Sequence, residues 1–291
     1  MAKQADSAQL ADFRFDRAAM PGGLRPSGKG GKAGSFDLGR FDPDAKPFSS
    51  GDKATDKARV AELAVELDKL QDLLYADKRF KVLVVLQGTD TSGKDGTIRG
   101  VFGEMSALGV RTAAWKAPSD EELSHDYLWR IHQKVPAAGE VVIFNRSHYE
   151  DVLVPVVEGW ITKDVAAQRM AQINAFERML TENGTIVLKF FLHISKDEQR
   201  VRLQERLDDP AKHWKFAVGD LEARKFWNAY QAAYANAIAA TGTVWAPWTI
   251  VPANSKTQRN LLIAMAVKEA MTALELRYPP GDPSLEKIKV T

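Results

Sequence analysis

Apolar positions along this chain follow two alternating patterns. Predominantly apolar runs of strand length occupy residues 82–86, 140–144 and 185–194, the last interrupted by Lys189 and His193, as expected of strands buried on both faces. Shorter segments at 110–115 and 248–251 fit the same pattern. Elsewhere apolar residues recur at three- and four-residue steps. Val60, Leu63, Leu67, Leu70, Leu73 and Leu74 predict an amphipathic helix starting near Thr55. Further helices are predicted over 94–108, with Gly109 as C-cap; from Ser119, boxed with Glu122, through Leu128 and Ile131 to a stop before Pro136; and over 165–180, closed by Gly184. Residues 197–207, 220–240 and 258–276 complete the set.

Strands alternating with helices predict an α/β fold, a mostly parallel sheet with helices on both faces and right-handed crossovers. Ligands of such sheets sit at the carboxyl ends of the strands. The residues after Leu86, Trp115, Phe144 and Ile194 should therefore surround one crevice. Residues 1–54 are rich in Gly, Lys, Asp and Ser without apolar periodicity, and predict an irregular N-terminal arm. Residues 55–291 form one phosphate-loop domain, with a lid at about 197–220.

Composition narrows the chemistry. The 291 residues contain no cysteine, which excludes disulfides, thiolate metal sites and cysteine nucleophiles. Net charge is +2, so no global field points to nucleic acid, and no apolar run approaches the ~20 residues of a membrane span. The opening MAKQADSAQLADF has no signal-peptide core. These features predict a soluble, cytoplasmic protein.

The most specific motif follows the first apolar run. Gly88, four residues, then Gly93-Lys94 has the spacing of a loop whose backbone N–H groups and lysine cradle phosphates. Its candidate phosphate contacts are Gly88, Thr91, Ser92, Gly93, Lys94, Asp95 and Gly96. Where a nucleotide-triphosphatase loop carries Ser or Thr after the lysine, this chain has Asp95, and Asp90 lies inside the loop. A carboxylate beside phosphate implies an intervening hard cation. Asp90 is thus expected to be a metal-side ligand or to orient the nucleophile, and Asp95 reads either as a first-turn acid stabilising the helix N-terminus or as a functional carboxylate.

A second cluster, Asn145-Arg146-Ser147-His148-Tyr149-Glu150-Asp151, ends the third strand. Arg146 suits charge neutralisation on a transferring group, and Glu150 or Asp151 suits a metal or the acceptor. His148 reads either as a structural histidine or as a substrate contact. The run 199–216 places Arg200, Arg202, Arg206, Lys212 and Lys215 on a basic helix and a Lys/Trp loop, as expected of a mobile lid.

The blocks GTDTSGKDGTIRGVF, KAPSDEELSHDYLWRIH, FNRSHYEDVLVP and RLQERLDDPAKHWKF resemble the polyphosphate kinase 2 family over about residues 56–278. The resemblance implies a thymidylate-kinase-like P-loop fold, a three-layer α/β sandwich with a helical lid. It implies Mg²⁺-dependent, reversible phosphoryl transfer from inorganic polyphosphate to nucleotides, with Mn²⁺ as an alternative ion. Many members carry Asp at the position of Asn145 and lack the Glu150-Asp151 pair. The version here resembles the third subclass, whose members act on nucleoside mono- and diphosphates: AMP and ADP, with GMP and GDP as further candidates. An uncharged Asn145 shifts the metal load onto Asp90 and Asp151. Lys94, Arg99, Arg146, Arg202 and Arg206 are expected to line the polyanion groove, and Asp90, Lys116, Arg130, Asn145, His148 and Glu150 to bound the acceptor. Asp90, Lys94, Arg146 and Glu150 carry the catalytic assignment. A homotetramer or homodimer is also implied. Rival readings are an ATP-dependent nucleoside monophosphate kinase on the same fold and a non-catalytic regulator binding polyphosphate or nucleotide.

Overall fold

The apolar runs build the centre of one six-stranded sheet in the computed structural model, which describes residues 2–15, 36–284 and 288–290. Strands β1 (Arg14–Phe15), β2 (Lys81–Gln87), β3 (Val110–Ala114), β4 (Val141–Asn145), β5 (Thr185–His193) and β6 (Trp248–Pro252) lie in the order β1-β6-β5-β2-β4-β3. All pairings are parallel except β1 against β6. The central β2 runs in register with β4 from Val82↔Val141 to Leu86↔Asn145, and with β5 from Lys81↔Thr185 to Gln87↔Phe191. The segments after Gln87, Asn145 and His193 therefore emerge side by side, as the α/β expectation required.

Because successive strand side chains point to opposite faces, β2 feeds two cores. Val82, Val84 and Leu86 join Leu63, Leu67, Leu74, Ile263 and Val267. These come from helices α2 (Lys53–Asp77) and α11 (Lys256–Thr272), with α3 (Lys94–Phe102) in the same layer. Leu83 and Val85 join Phe144, Tyr149, Ile173, Tyr234 and Trp248 on the other face. That face is covered by α6 (Glu150–Val157), α7 (Lys163–Glu182) and α10 (Trp227–Thr241). Each fully buried aliphatic of β2 contributes about 1.5–3 kcal/mol of transfer free energy, which makes this strand the rigid base of the loop that follows it.

The remaining helices are α1 (Ala2–Ala11), α4 (Asp120–Leu123), α5 (Trp129–His132), α8 (Lys196–Asp208) and α9 (Val218–Lys225). Several depart from expectation. Helix α3 stops at Phe102, not 108: Met105 N–H turns back to Phe102 O at 3.3 Å, and Ser106 N–H is drawn out of any helix by Asp68 Oδ1 at 3.2 Å and Gln71 Oε1 at 3.1 Å, both on α2. Gly109 is consequently no helix cap; it lies where a Cβ would run into Gln71. The Ser119–Glu122 capping box forms, but its helix breaks after one turn. There the Asp126 carboxylate accepts from Leu128 N–H at 2.9 Å, competing with helix continuation, and a separate turn, α5, follows. The helix expected over 220–240 is interrupted at Phe226. The N-terminal arm is not wholly irregular: α1 and β1 form, and Leu10, Phe15 and Leu38 are buried in the two cores. Residues 16–35 of that arm lie outside the described residues.

Candidate functional site

At the carboxyl ends of β2, β3 and β4 lies an open cleft of about 670 Å³. Its floor is the loop 88–94. Gly88 admits no side chain, since a Cβ would come within 2.7 Å of Leu192 O. Gly93 has φ +104, and a Cβ there would run into the Arg259 guanidinium. Thr91 takes φ +64 between them, an uncommon conformation for a residue with a β-branched side chain. Helix α3 starts at Lys94, so its first amides and positive dipole end open at the cleft floor. Lys94 curls back, its Nζ donating to Gly88 O at 2.7 Å and Thr89 O at 3.2 Å. Burial, reinforced by the neighbouring Arg146, pushes its pKa down to about 8.

Arg146 faces the loop from the end of β4. It also has a left-handed backbone, φ +64, fixed where its N–H donates to Leu86 O at 3.1 Å. Its Nη2 meets Asp90 Oδ1 at 2.6 Å, and its Nη1 lies 3.9 Å from Glu150 Oε2. Burial opposes the Arg146 charge, but Glu150 and Asp90 together hold its pKa above the ordinary value. Burial raises the Glu150 carboxyl, with Arg146 and Lys94 pulling the other way. Glu150 also accepts from Gln87 at 3.0 Å when that amide is oriented to satisfy both its ends. Asp95, on the first turn of α3, accepts from Asn145 Nδ2 at 2.8 Å, tying the loop helix to β4.

The structure brings Asp90, Thr91, Gly93, Lys94, Asp95, Gly96, Lys116, Asn145, Arg146, Arg206, Lys212 and Lys215 to the cleft as the sequence predicted. Glu150 lies beside it, in a smaller cavity of about 70 Å³ that shares Asp90 and Arg146 with the cleft. Gly88 is in the wall of that smaller cavity, and Ser92 is buried beneath the loop.

Other expected residues are placed differently. Arg99 lies on the exposed side of α3, outside the cleft lining. Arg130 is buried under Trp115 and grips Asp151 with Nη2 at 3.0 and 3.2 Å while donating to Lys116 O. The pair is internal because the guanidinium fits the carboxylate and the indole face at once. Neither residue is among those lining the cleft, where the nucleotide contact of Arg130 and the metal role of Asp151 were expected. Burial raises the Asp151 carboxyl, opposed by Arg130.

His148 is also internal, fully buried against Glu177 at 3.2 Å. Glu177 accepts as well from Tyr149 OH at 2.8 Å and Lys189 Nζ at 2.7 Å. Burial pushes the Glu177 carboxyl up, but Lys189 and His148 outweigh it and hold the carboxylate ionised. Lys189 sits within a strand-length apolar run, and no periodicity in the sequence marks its partner Glu177.

Arg202 lines the cleft but has every N–H engaged. Nε donates to Glu198 at 2.7 Å, Nη1 to Thr91 O and Ser92 O, and Nη2 to Ala253 O and Asn254 O. Sequence reasoning missed Glu205, Asp220 and Lys256, which line the cleft, and Arg259, which lies behind it. Asp220 could have been found as the acid ending the lid segment; it accepts from Arg206 at 3.2 Å. Over the whole lining, eight cationic residues stand against four carboxylates.

Comparison with known proteins agrees with this arrangement. The Polyphosphate kinase 2 (PPK2) family profile matches residues 50–278. An AMP/ADP-polyphosphate phosphotransferase of Meiothermus ruber is 52% identical over 257 residues, covering 88% of this chain and 96% of its own. An ADP-polyphosphate phosphotransferase of Rhodopseudomonas palustris is 36% identical over 269 residues, covering 88% and 93%. The crystal structure of Polyphosphate Kinase 2 from Arthrobacter aurescens TC1 superposes with a TM-score of 0.84 at 43% identity, covering 94% of this chain and 96% of that one.

Proposed function

Because the chain belongs to the polyphosphate kinase 2 family, we propose that it transfers phosphoryl groups from inorganic polyphosphate to AMP and ADP, yielding ADP and ATP. The observation that carries the reading is the cleft itself. Its excess of cations extends from the loop along the lid, through Arg206, Lys212 and Lys215, with Lys256 beside Glu205 of the lid helix. Such a groove suits a polyanion that offers no base to recognise.

In the reaction, a terminal phosphate oxygen of the acceptor attacks the end phosphorus of the chain. One anhydride P–O bond forms, one breaks, and the shortened chain leaves as the anion. The nucleophile is already anionic, so no general base is required, and the protein's task is positioning and charge neutralisation. Lys94, at the end of the loop, and Arg146, facing the loop from the end of β4, would neutralise the group in transit. Asp90 would orient the acceptor, which extends toward Lys116 on one side and Glu150 on the other.

Mg²⁺, with Mn²⁺ as an alternative, fits the donor set. Among the described residues no three His, Asp or Glu side chains converge as a cage. Mg²⁺ commonly binds through one or two carboxylates together with substrate phosphates and water. Asp90 and Asp95 line the cleft and would supply those carboxylates, and Thr91 Oγ1 is a buried hydroxyl with no protein partner. When bound, the ion would screen the charge on the reacting phosphates.

The product profile tests the proposal: purified protein with AMP, long-chain polyphosphate and Mg²⁺, without ATP, analysed by anion exchange. ADP followed by ATP is expected. ADP used while AMP is untouched would remove the monophosphate activity, and turnover only on adding ATP would establish an ATP-dependent kinase. The reading extends to a cytoplasmic homo-oligomer, dimer or tetramer, to be measured by light scattering. No helix among the described residues is long and apolar enough to cross a membrane.

A further inference from the structure

Two arginines approach the phosphate loop from behind. Arg202, from the middle of α8, is 5% exposed, and Arg259, from the first turn of α11, is 3% exposed. They share one acceptor: Arg202 Nη1 donates to Ser92 O at 3.1 Å and Arg259 Nη1 reaches the same oxygen at 3.5 Å. Arg202 also holds Thr91 O at 2.8 Å. A planar peptide carries its C=O and the following N–H on opposite sides. Drawing Ser92 O backward therefore turns the Gly93 N–H forward, toward the cleft that Gly93 lines. The left-handed Thr91, expensive in isolation by about 1–3 kcal/mol, is held by the same contact.

The glycines of the motif take on a second meaning here. A Cβ on Gly93 would run into Arg259 Nη1, and one on Gly96 would meet Nη2 at 3.0 Å. Their missing side chains let a guanidinium lie flat under the loop. Arg259 has its other bonds to Asn260 Oδ1, at 3.1 and 2.8 Å. Burial, together with Arg202, pushes its pKa down to about 9. A buried cation held by amide and carbonyl dipoles is expensive on stability grounds alone, which suggests a use at the loop.

Helix α8 links this clamp to the lid. Gln199 Nε2 donates to Asp90 O at 3.2 Å, Arg202 holds Thr91 and Ser92, and Arg206 donates to Lys215 O at 2.8 Å and to Asp220. One helix thus holds both the loop and the segment facing it.

We propose that Arg202 and Arg259 are positioning residues, a guanidinium clamp that sets the loop's N–H groups toward the donor phosphate and joins loop to lid through α8. The proposal rests on reading residues 88–94 as the donor-phosphate loop, and it replaces direct phosphate contact as the role of Arg202. Arg202→Lys and Arg259→Gln are compared with the wild type by steady-state kinetics and by hydrogen exchange of residues 89–97 in the ligand-free protein. Expected are a kcat lower by about 10²-fold, the magnitude of a small misplacement, a KM for nucleotide within about threefold, and at least tenfold faster exchange in the loop. Millimolar guanidinium should partly restore kcat of Arg202→Ala, and ammonium should not. An unchanged loop exchange with a raised KM for polyphosphate and normal kcat would overturn the clamp in favour of direct contact. Should Arg202→Ala not fold, Arg259→Gln carries the same comparison. The exchange readout needs no turnover, so wild-type protein inactive with polyphosphate would sink the functional reading while leaving the clamp separately measurable.

Discussion

Replacing Lys94 by Met should make the protein more stable and inactive at once. Lys94 keeps a charged ammonium in a buried position, and its pKa falls from 10.5 to about 8. At about 1.4 kcal/mol per pKa unit, holding that charge at pH 7 costs the fold about 3 kcal/mol. Lost bonds to Gly88 O and Thr89 O take back part of this. A net gain of about 1–2 kcal/mol at pH 7 is therefore expected for Lys94→Met. The pH dependence isolates the charge. In the unfolded chain the lysine keeps its proton up to about 10.5, whereas the folded protein releases it from about 8. The wild type thus gains stability as pH rises between those values, because there the unfolded state binds more protons. The variant does not. Urea unfolding followed by tryptophan fluorescence at pH 7 and pH 9.5 should show the advantage of Lys94→Met shrinking by about 2 kcal/mol, while polyphosphate-dependent turnover falls by about 10²–10³-fold. A variant less stable than the wild type by the same margin at both pH values would refute the reasoning, and Lys94 would then be a structural hydrogen-bond donor.

Three further outcomes follow from the geometry. Asp151→Asn should lower the melting temperature by a few degrees through loss of the Arg130 pair, yet leave the Mg²⁺ concentration for half-maximal rate within about twofold; a tenfold rise would return Asp151 to the metal. Arg146→Met should cut kcat by about 10³-fold, and near-wild-type turnover would remove it from the transfer step. Lys189→Met should destabilise by about 3–5 kcal/mol by stranding Glu177, with Lys189→Met/Glu177→Leu recovering much of the loss in chemical denaturation; equal losses in single and double variants would show that packing, not charge, is what the site requires.

The parts of the molecule legible from sequence were those with local causes. The apolar runs that became β2, β4 and β5 are buried on both faces and needed no partner to be recognised. The loop spacing and the Ser119 capping box are equally local. What escaped was set by distant groups. Nothing near residue 102 says that the amide of Ser106 will be claimed by Asp68 and Gln71, thirty-odd positions earlier. Arg202 and Arg206 look alike on one helix face, yet the first has its five N–H groups engaged and the second reaches the lid. Arg130, Asp151 and His148 stand among true cleft residues in the chain but turn inward, and only a donor-by-donor account in three dimensions separates them.

The short β1 has a consequence for handling the protein. By pairing Arg14↔Thr249 and Phe15↔Trp248, it closes the open side of β6, while β3 at the far side carries Arg111, paired with Glu140. The family profile begins at residue 50, so a chain trimmed to that boundary would lose the covering strand along with Phe15. It would present the backbone N–H and C=O groups of an apolar strand to solvent, a template on which other copies could extend the sheet.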